Sequence, residues 1–231
     1  MAPKDRLFSK RQRVVKDFNF GKRTAVVFDD MLLRSVPFYA EIQRMTSEIA
    51  ADFAVEGTNL YDLGCSTGNT FLQLDRVVPN GVRCVGIDSS QEMRDQARKK
   101  LTQAGITRDH ELVCADLNRG AQITNASVVI MNLTLQFIRP LYRHTLISRI
   151  ASGMNPEGCL LLVEKVLSKD STLNRFFIKY YYGFKERNGY SQTEIAQKRE
   201  ALENVLVPYR LEENITLALN SGFSQCEPFF K

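Results

Sequence analysis

The chain has 231 residues, 44% hydrophobic and 25% charged, enough to bury one sizeable core, and this excludes a disordered or fibrous class. No apolar run approaches the ~20 residues that span a bilayer, and an N-terminus without an apolar signal core, carrying Asp5, leads us to expect a soluble cytoplasmic protein with no membrane association. The net charge of +5 raises nucleic acid as a partner; however, much of the excess lies in Lys4, Arg6, Lys10, Arg11, Arg13 and Lys16, an arm without interleaved aromatics that reads as a solvated or mobile terminus, so no direct nucleic-acid contact is expected.

In chain order, residues 1 to about 36 show little regularity before Phe28–Leu33. Pro37 is placed to open a helix, where its missing N–H costs nothing, and Phe38, Ile42, Met45 and Ile49 recur at helical spacing. Tyr39 lies beside that stripe, just ahead of the ligand-binding part of the chain. From Asn59 strands and helices alternate, with apolar runs at 59–63, 83–87, 111–114, 127–131 and 159–165. Such alternation predicts a parallel sheet covered on both faces, with ligands beyond the carboxyl ends of its strands. That rule selects Gly64 to Ser66, Asp88-Ser89, Asp116-Leu117 and Asn132.

The first of these turns carries the most chemistry. Leu60-Tyr61-Asp62-Leu63-Gly64-Cys65-Ser66-Thr67-Gly68-Asn69 reads as a short strand breaking into a glycine-flanked turn, and glycine allows a positive φ or a close ligand approach. A second strand ends at Asp88, twenty residues past Gly68, where a carboxylate can accept both hydroxyls of a ribose. Ser66 stands where a dinucleotide fingerprint has its second glycine. That disfavours a pyrophosphate and suits a smaller nucleoside such as S-adenosylmethionine.

Asn155-Pro156-Glu157-Gly158 predicts a turn before the fifth strand, and residues 167–210 interrupt the alternation with helical, aromatic sequence in which Tyr180-Tyr181-Tyr182 reads as packing. Ser191-Gln192-Thr193-Glu194 is a capping box opening a helix. Arg199 falls on the stripe of Ile195, Leu202 and Leu206 along it, so it is expected to face inward. An inward guanidinium needs an anion: either an internal ion pair such as Glu203, or a substrate carboxylate held by its fork. Five cysteines lack any Cys-x-x-Cys pair; Cys84, Cys114 and Cys159 fall in predicted strands and are expected to be buried and reduced. His110 and His144 have no second ligand type at metal spacing, so no bound metal is expected.

These pieces together resemble the carboxy-S-adenosyl-L-methionine synthases, a family with the Rossmann-like class I S-adenosylmethionine-dependent methyltransferase fold. The resemblance runs over roughly residues 5 to 223. It rests on Ser35-Val36-Pro37-Phe38-Tyr39, Tyr61 to Ser66, Asn132-Leu133-Thr134-Leu135-Gln136-Phe137 and Glu164-Lys165, and above all on Lys185-Glu186-Arg187-Asn188-Gly189-Tyr190-Ser191 with Gln197-Lys198-Arg199 and Leu202 to Val205. It implies an α/β fold: a mostly parallel sheet with helices on both faces, extra N-terminal helices and a helical insertion before the last strand. The single domain 1–231 would divide into a helical extension to 56, a core over 57–166, the insertion over 167–210, and a terminal helix and strand over 211–231.

By resemblance the co-substrates are S-adenosylmethionine and prephenate, the products are carboxy-S-adenosylmethionine and phenylpyruvate, and a downstream tRNA carboxymethyltransferase uses the former to build a 5-oxyacetyl group on wobble uridine. Tyr39, Gly64, Cys65, Ser66, Asp88, Ser89, Asp116, Leu117 and Asn132 would bind the cofactor, Arg199 would hold the transferred carboxylate, and the protein would be a homodimer. Ser89 departs from the asparagine frequent in relatives. The fold usually closes with a hairpin, whereas Cys226 to Lys231 leaves room for one strand, so an unpaired apolar edge and lowered stability are expected. The alternatives are a conventional methyltransferase of a small molecule or tRNA, disfavoured for base amino groups by Asn132-Leu133-Thr134-Leu135, and a non-catalytic cofactor-binding subunit.

Overall fold

The structure, a computed structural model, describes residues 3–231. Two helices precede the sheet, α1 (Lys22–Ser35) and α2 (Tyr39–Phe53). Helix α1 begins ahead of the expected Phe28, because a polar first turn masks an inward face of Thr24, Ala25, Val27, Phe28, Met31 and Ser35. Pro37 precedes α2 rather than opening it: Phe38, at φ 54°, is the N-cap and is 70% exposed. The face α2 buries is Tyr39, Ile42, Gln43, Thr46, Ser47 and Ala50. Two of its polar members are bonded along the helix, Gln43 Nε2 donating to Tyr39 OH at 2.8 Å and Ser47 Oγ to Gln43 O at 2.7 Å. That is why an apolar period did not reveal the face.

Five strands form one parallel sheet: β1 (Asn59–Leu63), β2 (Arg83–Ile87), β3 (His110–Val113), β4 (Ala126–Asn132) and β5 (Met154–Val163), in the order β3-β2-β1-β4-β5. Helices α3 (Asn69–Val77), α4 (Gln91–Gln103) and α5 (Pro140–Gly153) are crossovers. Alternating side chains feed two cores. On one face Tyr61, Leu63, Val85, Ile87, Val129 and Met131 meet Leu146, Ile147 and Ile150 of α5; on the other Leu60, Cys84, Val128 and Ile130 meet Phe71, Leu74 and Leu101. The chain winds outward from β1 through β2 and β3, then returns to place β4 on the other side of β1. That reversal opens a crevice at the carboxyl ends.

Helices α6 (Ser171–Arg187), α7 (Gln192–Leu202) and α8 (Leu211–Asn220) follow the sheet. The Asn155–Gly158 turn lies inside β5, as a bulge where the register jumps from Ala126 opposite Met154 to Val128 opposite Cys159. The strand expected within 211–231 is not formed. After α8 the backbone runs as turn and coil, Phe223 packs on the main core, and the Phe230 ring meets Phe38 edge-on at 6.3 Å. Pro228 lacks a ladder N–H, and the bulge distorts the β5 edge such a strand would join.

Two further expectations change. Cys84 is fully buried, but Cys114 lies one residue past edge strand β3 and is exposed, and Cys159 on the other edge is half-buried. The six basic side chains of the N-terminal arm are exposed, yet the arm is pinned. Gln197 Nε2 donates to Phe8 O at 2.8 Å and Lys10 O at 3.1 Å, and buried Asp5 accepts from Tyr190 OH at 2.6 Å.

Candidate active site

The carboxyl ends of β1 to β4 open into a cavity of about 680 Å³ at the topological switch. Tyr39, Gly64, Cys65, Ser66, Asp88, Ser89, Asp116, Leu117 and Asn132 all line it. They come from five separate stretches of chain: four end or follow strands that stop at the same rim, and Tyr39 reaches it from the start of α2.

The loop after β1 is shaped by backbone geometry. Gly64 has φ +81°, and a Cβ there would meet Thr134, with Cγ2 at 2.7 Å. Ser66 follows at φ 47°, and Gly68, at φ +78°, caps α3 where a Cβ would stand 3.2 Å from that of Ala97. Asp88 fixes this loop to α4: Oδ2 accepts the Ser66 N–H at 3.0 Å and Oδ1 the Ser90 N–H at 2.8 Å. Each oxygen keeps lone-pair capacity for a ribose hydroxyl. Burial raises the Asp88 pKa, while these two N–H bonds and Arg94 act against it. Asp116 Oδ1 accepts from the Asn118 backbone and amide, both at 3.0 Å, which closes the turn beside buried Leu117.

Some polar atoms of the cavity lining have no protein partner among the described residues. Both amide atoms of Asn132 are buried and unpaired, as are Gln43 Oε1 and Gln136 Oε1, and all three residues line the cavity. Leu133, next to Asn132, is held at φ 58°, a conformation costly for leucine and typical of constrained sites. Burial raises the Tyr39 phenol pKa to about 12, so it stays a donor; Gln43 Nε2 and, at 3.4 Å, Asn69 Nδ2 bond its oxygen. Behind it, Asp29 accepts from Thr67 Oγ1 at 2.7 Å and Asn69 Nδ2 at 3.0 Å and pairs with Lys100 at 2.7 Å, tying α1 and α4 to the cofactor loop. An unpaired amide, two unpaired carbonyl oxygens, a phenol and a carboxylate suit an amino-acid-bearing nucleoside.

Arg199 is not among these residues. It is exposed and does not line the cavity. Helix α7 ends at Leu202, so Leu206 never shared its stripe; the face it buries is Glu194, Ile195, Gln197, Lys198 and Ala201. The residue aimed into the cavity is the neighbour, Lys198, together with Lys185 of α6 and, from the chain after β5, Glu164 and Lys165. Glu164 accepts the N–H groups of Leu135 at 2.8 Å and Gln136 at 2.9 Å, and burial pushes its pKa to about 8. Tyr181, read as packing, lines the cavity as well. The signal for these residues was polar side chains at helical spacing from apolar ones, Lys198 three after Ile195.

Residues 60–158 match the family described as a methyltransferase domain. A carboxy-S-adenosyl-L-methionine synthase of Methylococcus capsulatus is 53% identical over 229 residues, 99% of this chain and 95% of that protein. One from Sulfurimonas denitrificans is 44% identical over 98% and 94%. The chain belongs to the carboxy-S-adenosyl-L-methionine synthase family. Among solved structures, the S-adenosylmethionine-dependent methyltransferase SibL aligns with a TM-score of 0.63 at 17% identity, over 97% of this chain and 61% of that one. The cyclopropane synthase MmaA2 of Mycobacterium tuberculosis aligns at 0.59 and 15%, over 78% and 60%. These likenesses establish the Rossmann-like class I methyltransferase fold. The cavity reaches past the strand ends into a lobe lined by Val163 to Leu167, Phe177, Tyr181, Lys185 and Lys198.

Proposed function

We propose that the protein converts S-adenosylmethionine and prephenate into carboxy-S-adenosylmethionine and phenylpyruvate. The observation that carries this reading is the two-part cavity: nucleoside-type residues at the ends of β1 to β4, and an adjoining lobe of mixed apolar and cationic lining fit for a second, anionic substrate. The atoms balance. Prephenate releases its ring carboxylate as carbon dioxide and its ring hydroxyl, the sulfonium methyl gives up a proton that leaves with that hydroxyl as water, and the methyl carbon bonds the carbon dioxide. Tyr39, Gly64, Cys65, Ser66, Asp88, Ser89, Asp116, Leu117 and Asn132 bind S-adenosylmethionine, with Asp88 on the ribose. No metal takes part.

Arg199 holds the transferred carboxylate in this reading, and its exposure supports a role in the site of a second subunit. Leu173, Phe176, Phe177 and Tyr180 present an exposed apolar stripe on α6, which supports the homodimer. The product serves a tRNA carboxymethyltransferase in the cytoplasm that modifies wobble uridine; this protein touches neither nucleic acid nor membrane. Incubation with S-adenosylmethionine and prephenate, read by mass spectrometry, should yield carboxylated cofactor and phenylpyruvate in equal amounts. S-adenosylhomocysteine formed with a methyl acceptor, and no carboxylated product, would favour the conventional methyltransferase. For Arg199, mixing an Arg199→Ala protomer with one inactivated in its cofactor site should restore activity; no restoration would remove the shared site.

A further inference from the structure

The second lobe has an unbalanced charge. Lys185 and Lys198 are 6% and 7% exposed, and Lys165 stands at the rim. Among the described residues neither Lys165 nor Lys185 has a carboxylate partner or a side-chain hydrogen bond; the Lys185 ammonium lies 4.2 Å and that of Lys165 5.5 Å from the centre of the same Tyr181 ring. A ring face softens a buried cation but does not neutralise it. Lys198 donates to Ser35 Oγ at 3.3 Å and stands 3.9 Å from Asp5. Asp5 is already engaged, by Tyr190 OH at 2.6 Å and the Leu7 N–H at 3.1 Å. Tyr190 and Arg34 also face this group, and Glu164, the acid closest in sequence to Lys165, is turned to two backbone N–H groups. Burial first, then repulsion from Lys198 and Lys165, lowers the Lys185 pKa to about 7; burial chiefly, opposed by Asp5, takes Lys198 to about 8.

Lys185 is thus buried and unpaired, which is expensive, and the cost is recovered when an anion arrives. The placement of the lysines says which anion. The cofactor residues follow β3, β2, β1 and β4, whereas Lys165 follows β5 at the far edge of the sheet, Lys185 of α6 shares the Tyr181 ring with it, and Lys198 of α7 enters the cavity beside Ser35. We propose that Lys185 and Lys198, with Lys165 at the rim, bind the carboxylates of the second, dianionic substrate and not the carboxylate of the cofactor. This rests on the reading that a prephenate-type acid is the co-substrate.

The test measures S-adenosylmethionine affinity, the KM for prephenate and the melting temperature of the unliganded protein in Lys185→Met and Lys198→Met, with Lys185→Arg as the conservative rescue. Loss of one charge-assisted hydrogen bond should raise the KM about ten- to a hundredfold. Cofactor affinity should stay within about twofold, Lys185→Arg should recover part of the KM, and Lys185→Met should melt no lower than the parent because a buried charge is gone. Cofactor affinity falling as far as prephenate affinity, or an unchanged KM in both variants, would overturn the proposal. If the parent makes no carboxylated product, the functional reading fails, and calorimetry with malonate on the cofactor-loaded protein decides the site independently. Binding by the parent and not by Lys185→Met upholds it, and equal binding or none overturns it.

Discussion

Gly64→Ala isolates what the cofactor loop demands of the backbone. At φ +81° an added Cβ costs about 1–2 kcal/mol from the left-handed conformation alone. It would also overlap Thr134, whose Cγ2 stands at 2.7 Å and Cβ at 3.1 Å, and forcing a buried threonine aside adds about 1–3 kcal/mol. The sum, about 2–5 kcal/mol, corresponds to a melting temperature lower by roughly 4–20 °C for a chain of this size. Gly57 supplies the control: it has φ +77° with nothing within 4 Å of a Cβ, so Gly57→Ala should show the conformational cost without the collision. Thr134→Ala removes the colliding Oγ1 and Cγ2. The pair Gly64→Ala/Thr134→Ala should therefore be less destabilised than the sum of its members by more than about 0.5 kcal/mol. Urea unfolding with calorimetric cofactor titration measures all four variants. Gly64→Ala no worse than Gly57→Ala, or strict additivity in the pair, would refute the reasoning.

Gly86→Ala should cost about 1–3 kcal/mol with no conformational share, since its Cβ would lie 2.9 Å from Cys65 Sγ, Leu112 Cδ2 and Phe71 Cε2; unchanged urea unfolding would contradict it. Ser90→Ala removes the α4 cap, in which Ser90 Oγ accepts the Met93 N–H at 3.1 Å and donates to Phe20 O at 2.7 Å; about 1 kcal/mol of stability should be lost in the same assay, and a loss below a few tenths would show the cap idle. Lys185 sets a pH dependence. Its pKa falls from 10.5 unfolded to about 7 folded, so between those values the unfolded chain binds more protons and the parent gains stability relative to Lys185→Met as pH rises. Urea unfolding of both proteins from pH 6 to 10 should give a difference flat below about 7 and climbing above it, and a difference flat throughout would contradict the burial of that ammonium.

The strand–turn–helix part of the site was legible because local physics writes it. Gly64 and Gly68 mark positive φ, Asp88, Asp116 and Asn132 mark strand ends, and all but Gly68 line one cavity. The capping box at Ser191 placed the start of α7 correctly, since it is a contact within four residues. What the sequence concealed was which face of that helix turns inward. The apolar stripe that points to Arg199 runs to Leu206, beyond the helix end, while the buried face carries Gln197 and Lys198, whose partners Phe8, Ser35 and Asp5 are more than a hundred and sixty residues away in sequence. The same long-range pairing hid the anchoring of the N-terminal arm, and the outer position of β3 exposed Cys114.

The central claim is that the carbon attached to the cofactor comes from the second substrate. Prephenate carrying carbon-13 only in its ring carboxylate, incubated with S-adenosylmethionine and this protein, should give carboxy-S-adenosylmethionine one mass unit heavier than that from unlabelled prephenate, alongside unlabelled phenylpyruvate. An unlabelled carboxylated product, or a cofactor that only loses its methyl group, would contradict the account.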